Sequence, residues 1–304
     1  MPVINALGST MSYQEVGAGA PVVFLHGNPT SSHLWRKVLP LVGPGRLLAP
    51  DLIGMGDSGK PAIEYTLADH ARYLDAWFDA LGLDRVVLVG HDWGGVLAFD
   101  WAARHPGRVA GVAFLETIVR PLAWAQFPES AQPFFRSLRT PGTGEAMVLE
   151  QNVFIEQALS AGVRAGLAAE DLATYRKPYP TPGSRRPLLA WARSMPLDGE
   201  PAEVAASVEA YDRWLAASPD APKLLLTFDP GPGIMIGPEL ADWCRGHIAA
   251  LEVTACGPAG HHAPEDQPAA IAAAIAAWAD EHGLRRADPA ASPGGAGTEG
   301  VERS

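Results

Sequence analysis

The sequence predicts an α/β fold, in which a mostly parallel central sheet is flanked by helices and carries an inserted helical cap. Three observations lead to this prediction. Short apolar runs alternate with helical patterns in the first part of the chain. These runs are apolar throughout, as expected for strands that helices cover on both faces. A long helical stretch, broken by prolines, then separates them from two later apolar runs.

The first part of the chain supplies the alternating elements. The predicted strands are continuous apolar runs bounded by turn residues, and they are Pro21–Leu25, Arg46–Pro50, Arg85–Val89 and Val109–Leu115. The predicted helices have a capping residue or a stop signal, and they run from Ser31 or Ser32 to Leu39, from Thr66 to Leu81 and from Gly94 to His105. Strands connected through helices predict parallel neighbours in one sheet.

The pattern changes after Pro121. Residues 122–218 show helical stretches without a convincing strand, which predicts a cap inserted into a core made of residues 1–121 and 219–284. The later core elements are predicted as two strands and an alanine-rich helix, at Lys223–Phe228, Ile248–Cys256 and Pro264–Gly283. Residues 285–304 are rich in Pro, Ala, Gly and Ser without an apolar period, so we expect a disordered tail.

Composition and charge argue against several classes of function. The net charge is −11 and no run of Lys and Arg occurs, which argues against a nucleic-acid partner. No window is long and apolar enough to span a bilayer, and the N-terminus does not resemble a signal peptide. Two cysteines, Cys244 and Cys256, are too few for a disulfide framework or a four-ligand zinc site. We expect a cytoplasmic monomer or weak homo-oligomer with no cofactor.

The strongest local motif is the segment Gly90-His-Asp-Trp-Gly-Gly95, which follows a predicted strand and opens a predicted helix. This context is typical of the nucleophile elbow, written G-x-S-x-G in esterases, with Asp92 at the central position. A carboxylate is already ionised at neutral pH, so it can displace a leaving group from a saturated carbon without a base. The alternative is that Asp92 only caps the following helix. The complete strand–elbow–helix context favours the nucleophile.

With this motif, the sequence resembles the haloalkane dehalogenases of the α/β-hydrolase superfamily, and within them the branch whose catalytic acid follows the sixth strand. The resemblance extends from about Tyr13 to about Gly283 and includes the cap. The segments that carry it are His26–Ser32, Asp51–Pro61, Gly90–Gly95, Gln151–Glu156, Arg185–Pro187 and His261–Asp266. It implies hydrolysis of a small halogenated hydrocarbon through an ester on Asp92, with release of a halide ion.

The resemblance assigns halide binding to Asn28 and Trp93. The chemistry agrees, because an indole N–H and an amide N–H can both donate to the negative charge of a leaving halide. Without the resemblance, Trp93 is a core aromatic residue and Asn28 a turn residue.

Two adjacent histidines follow the last predicted strand, where this fold presents its base. The family pattern places the base four residues before a Glu-Asp pair, and Glu265-Asp266 therefore selects His261. We expect His262 to form part of the pocket wall, at a position usually aromatic in relatives. No third ligand has suitable spacing, so we expect no metal site.

The acid that orients His261 has two candidates. Glu116 directly follows the strand Val109–Leu115 and matches the acid of the dehalogenase branch, whereas Asp229 follows Lys223–Phe228, where epoxide hydrolases place theirs. We prefer Glu116, because Asp229 lies in a Pro- and Gly-rich turn that explains it without a catalytic role.

One departure from the family and three rival functions stay open. Relatives usually carry proline after the aromatic residue at Trp191, and Ala192 stands here, which puts halide preference in doubt. An epoxide hydrolase would share Asp92 and use cap tyrosines as acids; the cap tyrosines are Tyr175, Tyr179 and Tyr211. A luciferase-like monooxygenase has the same scaffold and a similar triad. A non-catalytic receptor of this fold would need a pocket but no complete triad.

Overall fold

The computed structural model describes residues 1–285, and the predicted disordered tail therefore lies, except for its first residue, outside the described residues. Within this range the strands are β1 Val3–Ala6, β2 Ser9–Val16, β3 Pro21–Leu25, β4 Arg46–Pro50, β5 Val86–His91, β6 Val109–Leu115, β7 Lys223–Asp229 and β8 Leu251–Pro258. They form one sheet of order β1-β2-β4-β3-β5-β6-β7-β8.

The sheet is parallel except at one edge. β1 pairs antiparallel with β2, and β2 pairs antiparallel with β4, while the remaining neighbours are parallel. The predicted fold class is therefore confirmed. The antiparallel strands β1 and β2 were not predicted, because they are short or rich in Ser, Thr, Gln and Glu and lack a continuous apolar run.

The α-helices of the described part are α1 Leu39–Val42, α2 Leu67–Ala80, α3 Trp93–Arg104, α4 Gln132–Arg139, α5 Thr143–Glu145, α6 Leu159–Ala161, α7 Ala169–Arg176, α8 Arg186–Arg193, α9 Ala202–Ala217, α10 Pro238–His247, α11 Ala263–Asp266 and α12 Pro268–Glu281. Two predicted helices differ from these. The one expected from Ser31 or Ser32 is a short 3₁₀ turn followed by α1. The one expected at Pro264–Gly283 is divided at Gln267, because Pro268 cannot continue the preceding helix.

Helices cover both faces of the sheet. Alternate residues of β3 show this, because Val23 and Leu25 pack with α2 and α3, whereas Val22 and Phe24 pack on the opposite side with α1 and α12. The central position of β5, between β3 and β6, places the residue that follows it at the middle of the carboxyl edge. Ligands of open α/β sheets bind at this edge.

Between β6 and β7 the structure contains helices α4 to α9 and isolated bridges, without a further sheet strand. The proposed cap limits, residues 122 and 218, stay a prediction. Within these limits α9 packs against α3 of the core, where the Tyr211 ring contacts Phe99 and the Tyr211 hydroxyl donates to the Ile118 carbonyl at 2.7 Å. Among residues 1–285, no helix combines the length and apolar character needed to cross a membrane.

Candidate active site

Asp92 occupies a sharp turn between β5 and α3. Its φ of 54° and ψ of −128° lie in a region that residues with a side chain rarely adopt, so the surrounding structure must hold it there. Thr117 contributes by donating its hydroxyl to the Asp92 carbonyl at 2.6 Å. A Cβ at Gly94 would lie 2.1 Å from the Leu25 carbonyl oxygen, so glycine allows α3 to begin directly against β3.

The Asp92 carboxylate is buried beside the loop that follows β3. The backbone N–H of Asn28 donates to Asp92 Oδ1 at 2.7 Å, and a Cβ at Gly27 would lie 2.1 Å from the same oxygen. Burial alone would raise the pKa of Asp92, but its interactions with His261, His91 and the Trp93 backbone amide lower this pKa below the ordinary 3.8. The carboxylate is therefore an anion at neutral pH, as a nucleophile requires.

His261 lies between two carboxylates. Its Nε2 is 3.6 Å from Asp92 Oδ2, and its Nδ1 is 3.7 Å from Glu116 Oε2. Both separations are ion-pair distances, longer than hydrogen bonds. Burial disfavours the protonated ring, yet Asp92 and Glu116 together raise the pKa of His261 to about 9. The resting site thus holds an imidazolium between two anions.

The two candidate acids are placed very differently. Glu116 is 0% exposed, adopts a φ of 47° and accepts hydrogen bonds from the backbone amides of Met235 at 2.6 Å and Ile236 at 3.3 Å. Asp229 is exposed at the end of β7 and has no ion pair with His261. The geometry therefore favours Glu116 as the residue that orients His261.

The two candidate halide donors flank Asp92. Trp93 is buried and stacks on Trp191 of α8, with ring centroids 4.5 Å apart, and Trp191 in turn stacks on His70 at 4.1 Å. Asn28 donates one amide hydrogen to the Leu188 carbonyl at 3.3 Å, which leaves its second N–H available. Both candidate donors therefore contact α8: Trp93 stacks on Trp191, and Asn28 forms a hydrogen bond with Leu188.

Two site-forming residues have roles that sequence reasoning missed. His26 Nε2 accepts from the Leu52 backbone N–H at 3.0 Å, so its Nδ1 carries the proton and donates to the Gly27 carbonyl at 3.0 Å. This bridge ties the loop that carries Asn28 to the end of β4. His70 lies behind Trp191 without a polar partner, and burial lowers its pKa to about 3. The role of His26 could have been expected from its position directly before Gly27, in the loop that carries Asn28. No local motif indicates the role of His70.

A second pair of histidines surrounds His261. His91, the last residue of β5, donates from Nε2 to the His261 carbonyl at 2.8 Å and so holds the backbone of His261 in place. Burial lowers the pKa of His91 to about 3 and that of His262 well below 6.5, and the nearby His261 lowers both further. Both rings are therefore neutral. His262 contacts Gly162 of the cap, where a Cβ would lie 2.8 Å from its ring.

A buried ionic cluster joins the cap to the core near the base. Glu265, four residues after His261, receives a bidentate pair from Arg36 at 2.6 and 2.8 Å and a hydrogen bond from the Tyr175 hydroxyl at 2.7 Å. Arg36 also pairs with Asp171 of α7 at 2.6 Å. Burial opposes ionisation of Glu265, but these donors, Arg36 above all, lower its pKa below the ordinary 4.5. We call these residues the cap clamp.

The cap tyrosines do not offer the pair of acids that an epoxide hydrolase would need. The Tyr175 hydroxyl is engaged by Glu265 and that of Tyr211 by the Ile118 carbonyl. The Tyr179 hydroxyl is buried, and its ring lies beneath Lys60.

A strand–elbow–helix turn with a buried carboxylate at the carboxyl edge of a mostly parallel sheet is typical of an α/β hydrolase, and the family model described as alpha/beta hydrolase fold matches residues 20–154. A haloalkane dehalogenase of Mesorhizobium japonicum is 49% identical over 283 residues, covering 91% of this chain and 90% of that protein. One from Bradyrhizobium diazoefficiens is 47% identical and covers 90% and 91%. The solved haloalkane dehalogenase DbeA from Bradyrhizobium elkani has a TM-score of 0.90 at 44% identity, covering 93% and 98%. The chain belongs to the haloalkane dehalogenase family.

Proposed function

We propose that this protein hydrolyses haloalkanes to an alcohol, a halide ion and a proton, through an alkyl ester on Asp92. The observation that carries the proposal is the ionised Asp92 carboxylate, held at the elbow by the Asn28 N–H with His261 on its other side. Relatives at 45–49% identity that are named haloalkane dehalogenases support the substrate class.

In the first step, an oxygen of Asp92 attacks the carbon that bears the halogen. A carbon–oxygen bond forms while the carbon–halogen bond breaks, and its electron pair leaves with the halide. The Trp93 indole N–H and the free Asn28 amide N–H donate to the halide as its charge develops. Because these donors are already oriented by α8, little reorganisation is needed during the displacement.

In the second step, His261 accepts a proton from a water molecule that attacks the ester carbonyl. Esterification removes the Asp92 charge, which is one of the two charges that raise the pKa of His261, so once the ester forms the ring releases its proton to solvent and becomes a free base. The remaining anion, Glu116, stabilises the new imidazolium. The backbone amides of Asn28 and Trp93 stabilise the oxyanion until the ester carbon–oxygen bond breaks. As this bond breaks, the alcohol oxygen takes the proton of the added hydroxyl group, which restores the ionised Asp92 beside the imidazolium of the resting site.

The cellular location and the oligomeric state are also proposals. We propose a cytoplasmic location, because Cys244 and Cys256 are both free and buried, as expected in a reducing compartment. We propose that the protein is a monomer or weak homo-oligomer, which sedimentation of the purified chain would decide.

The function is tested by measuring bromide and proton release from 1-bromobutane beside hydrolysis of styrene oxide. We expect bromide and 1-butanol in equal amounts, with no diol from the epoxide. Hydrolysis of styrene oxide without bromide release would favour the epoxide hydrolase. Light emission with coelenterazine would favour the luciferase-like enzyme, and no halide release from a panel of haloalkanes would favour a receptor.

A further inference from the structure

Three histidine rings meet beside the nucleophile, and the proposed reaction uses only one of them. His91, His261 and His262 each offer a ring nitrogen, and these atoms lie within 4.8 Å of one another. The ring centroids are 4.8 to 5.7 Å apart. Sequence spacing gave no third ligand beside His261 and His262, but the sheet brings His91 from the end of β5 to the loop that follows β8.

Two of these rings carry nitrogen atoms that need a partner. Because His91 donates from Nε2 to the His261 carbonyl, its Nδ1 carries a lone pair. In the described part of the chain, neither this atom nor the buried Nδ1 of His262 has a hydrogen-bond partner. Buried polar atoms are nearly always satisfied, and a metal ion placed between these rings would satisfy both by accepting a lone pair from each.

The surrounding charge and space favour a divalent cation as that acceptor. Asp92 and Glu116 lie within 4 Å of His261, so two anions face the cluster. His91, His262 and, once it has lost its proton, His261 offer three imidazoles, a ligand set suited to Zn²⁺, Ni²⁺ or Cu²⁺. A tetrahedral Zn²⁺ with bonds of about 2.0–2.1 Å holds its nitrogens roughly 3.4 Å apart, so shifts of about 1 Å would close the cluster. The side chain of His261 is 15% exposed, so ions in the solvent can reach the cluster through it.

We propose that His91, His261 and His262 form an inhibitory binding site for a divalent transition metal, with Zn²⁺ as the best-fitting ion. Each ring donates a nitrogen lone pair to the metal, and any proton on the ligating nitrogen of His261 leaves to solvent. Ligation through Nε2 removes the base that activates water, and ligation through Nδ1 displaces the contact with Glu116. Either mode stops ester hydrolysis without altering the fold.

The test is isothermal titration calorimetry of the purified protein with Zn²⁺, together with bromide release from 1-bromobutane at increasing Zn²⁺. His262→Phe removes one ligand and keeps an aromatic ring. His91→Gln removes another and keeps an amide donor for the His261 carbonyl. We expect stoichiometric binding by the wild type, inhibition reversed by a chelator, and both binding and inhibition weakened by about tenfold or more in each variant. Inhibition is compared with the metal-free rate of the same variant.

The matched control is His282→Phe, because His282 is a surface histidine paired with Glu252, away from the cluster. This variant should bind Zn²⁺ and be inhibited like the wild type. The proposal is overturned if the wild type binds no Zn²⁺, if both cluster variants bind it as tightly as the wild type, or if the control loses binding equally. Calorimetry needs no turnover, so a protein that binds Zn²⁺ but releases no bromide would contradict the proposed function and leave the metal site standing.

Discussion

The two regions that meet at Asp92 are held in place by different kinds of contact. At the carboxyl edge of the sheet, backbone amides hold the carboxylates, from Asn28 to Asp92 and from the loop after β7 to Glu116. In the cap clamp, between cap and core, the contacts are made by side chains: Glu265 binds Arg36 and the hydroxyl of Tyr175 in the cap. At the sheet edge the donors are backbone amides, which stay in place when Asp92 or Glu116 is replaced, whereas in the cap clamp both partners of each contact are side chains. Changes in the proposed catalytic triad of Asp92, His261 and Glu116 should therefore reduce the reaction rate without unfolding the protein. Changes in the cap clamp should reduce the free energy of unfolding.

The largest expected effect is on the triad side. Asp92→Ala removes the group that forms the ester, and we expect the rate of bromide release to fall by about 10⁴-fold or more. The variant should stay folded at the assay temperature, which its thermal unfolding midpoint checks, because the change removes no large buried apolar side chain. Asp229→Ala is the matched control, since it removes the exposed carboxylate after β7, and its rate should equal that of the wild type. Comparable losses in both variants would contradict the assignment of the nucleophile.

Glu116→Gln should reduce turnover by about 10²-fold or more, because the imidazolium loses its remaining counter-charge during ester hydrolysis. Glutamine has the same size and keeps one oxygen, which can still accept from one of the two loop amides, so the fold should persist. Since Glu116 raises the pKa of His261, the group that titrates near 9 should titrate at a lower pH in the variant, as followed by NMR of the ring protons. An unchanged titration would show that Glu116 does not act on His261.

The pH dependence of stability follows from the same shift. The pKa of His261 is about 9 when folded and 6.5 in an unfolded chain, so the folded state binds more protons between these values. The contribution of His261 to the free energy of unfolding is therefore complete below about 6.5 and is lost as the pH rises through about 9. Urea unfolding at pH 6 and pH 10 measures this contribution. The free energy of unfolding should decrease less between these two pH values in His261→Phe than in the wild type.

On the cap side, Glu265→Gln should lower the free energy of unfolding by about 1.5–3 kcal/mol, because the largely buried Arg36 loses one of its two carboxylate partners and keeps only Asp171. The matched control is Glu156→Gln, which removes a similar bidentate pair with Arg176 at the cap surface and should cost less than about 1 kcal/mol. Chemical denaturation of both variants gives the comparison. Equal effects would show that burial does not distinguish the cap clamp from a surface pair.

The smallest expected effect concerns Ala192, where relatives usually carry proline. In a helix, the Ala192 amide donates to the Leu188 carbonyl, which also accepts from the Asn28 side chain at 3.3 Å. Ala192→Pro removes the competing donor and should hold Asn28 more firmly. We expect product bromide to inhibit more strongly, by less than about tenfold, since only one of two halide donors is affected. Weaker inhibition would show that the added ring disturbs α8 instead.

Features that depend on a few neighbouring residues could be predicted from the sequence, whereas contacts between distant segments could not. The elbow and the positions of Glu116 and His261 follow from strand ends in one parallel sheet, and strand ends are visible as apolar runs followed by turn residues. The roles given to these residues remain predictions, because geometry places them together without showing catalysis. The sheet edge β1–β2 was missed because its polar strands do not display the pattern of a buried strand.

Contacts between distant segments were the least predictable. His91 and His261 are 170 positions apart, so no spacing rule joins them, and the third imidazole became visible only with the fold. In the same way, Glu265 was used in the sequence only to choose His261 over His262, and its contact with Arg36, 229 positions away, was not expected. Such contacts depend on how helices and loops pack at the sheet edge, which single-residue patterns do not encode.

The most direct test of the account is mass spectrometry of His261→Phe after incubation with 1-bromobutane. Without the base, the ester should form and persist, so we expect a single equivalent of bromide per protein and a butyl group on Asp92. The wild type, treated identically, should show repeated turnover and no lasting adduct. Absence of an adduct on Asp92 in the variant, or continued turnover at the wild-type rate, would contradict the two-step mechanism.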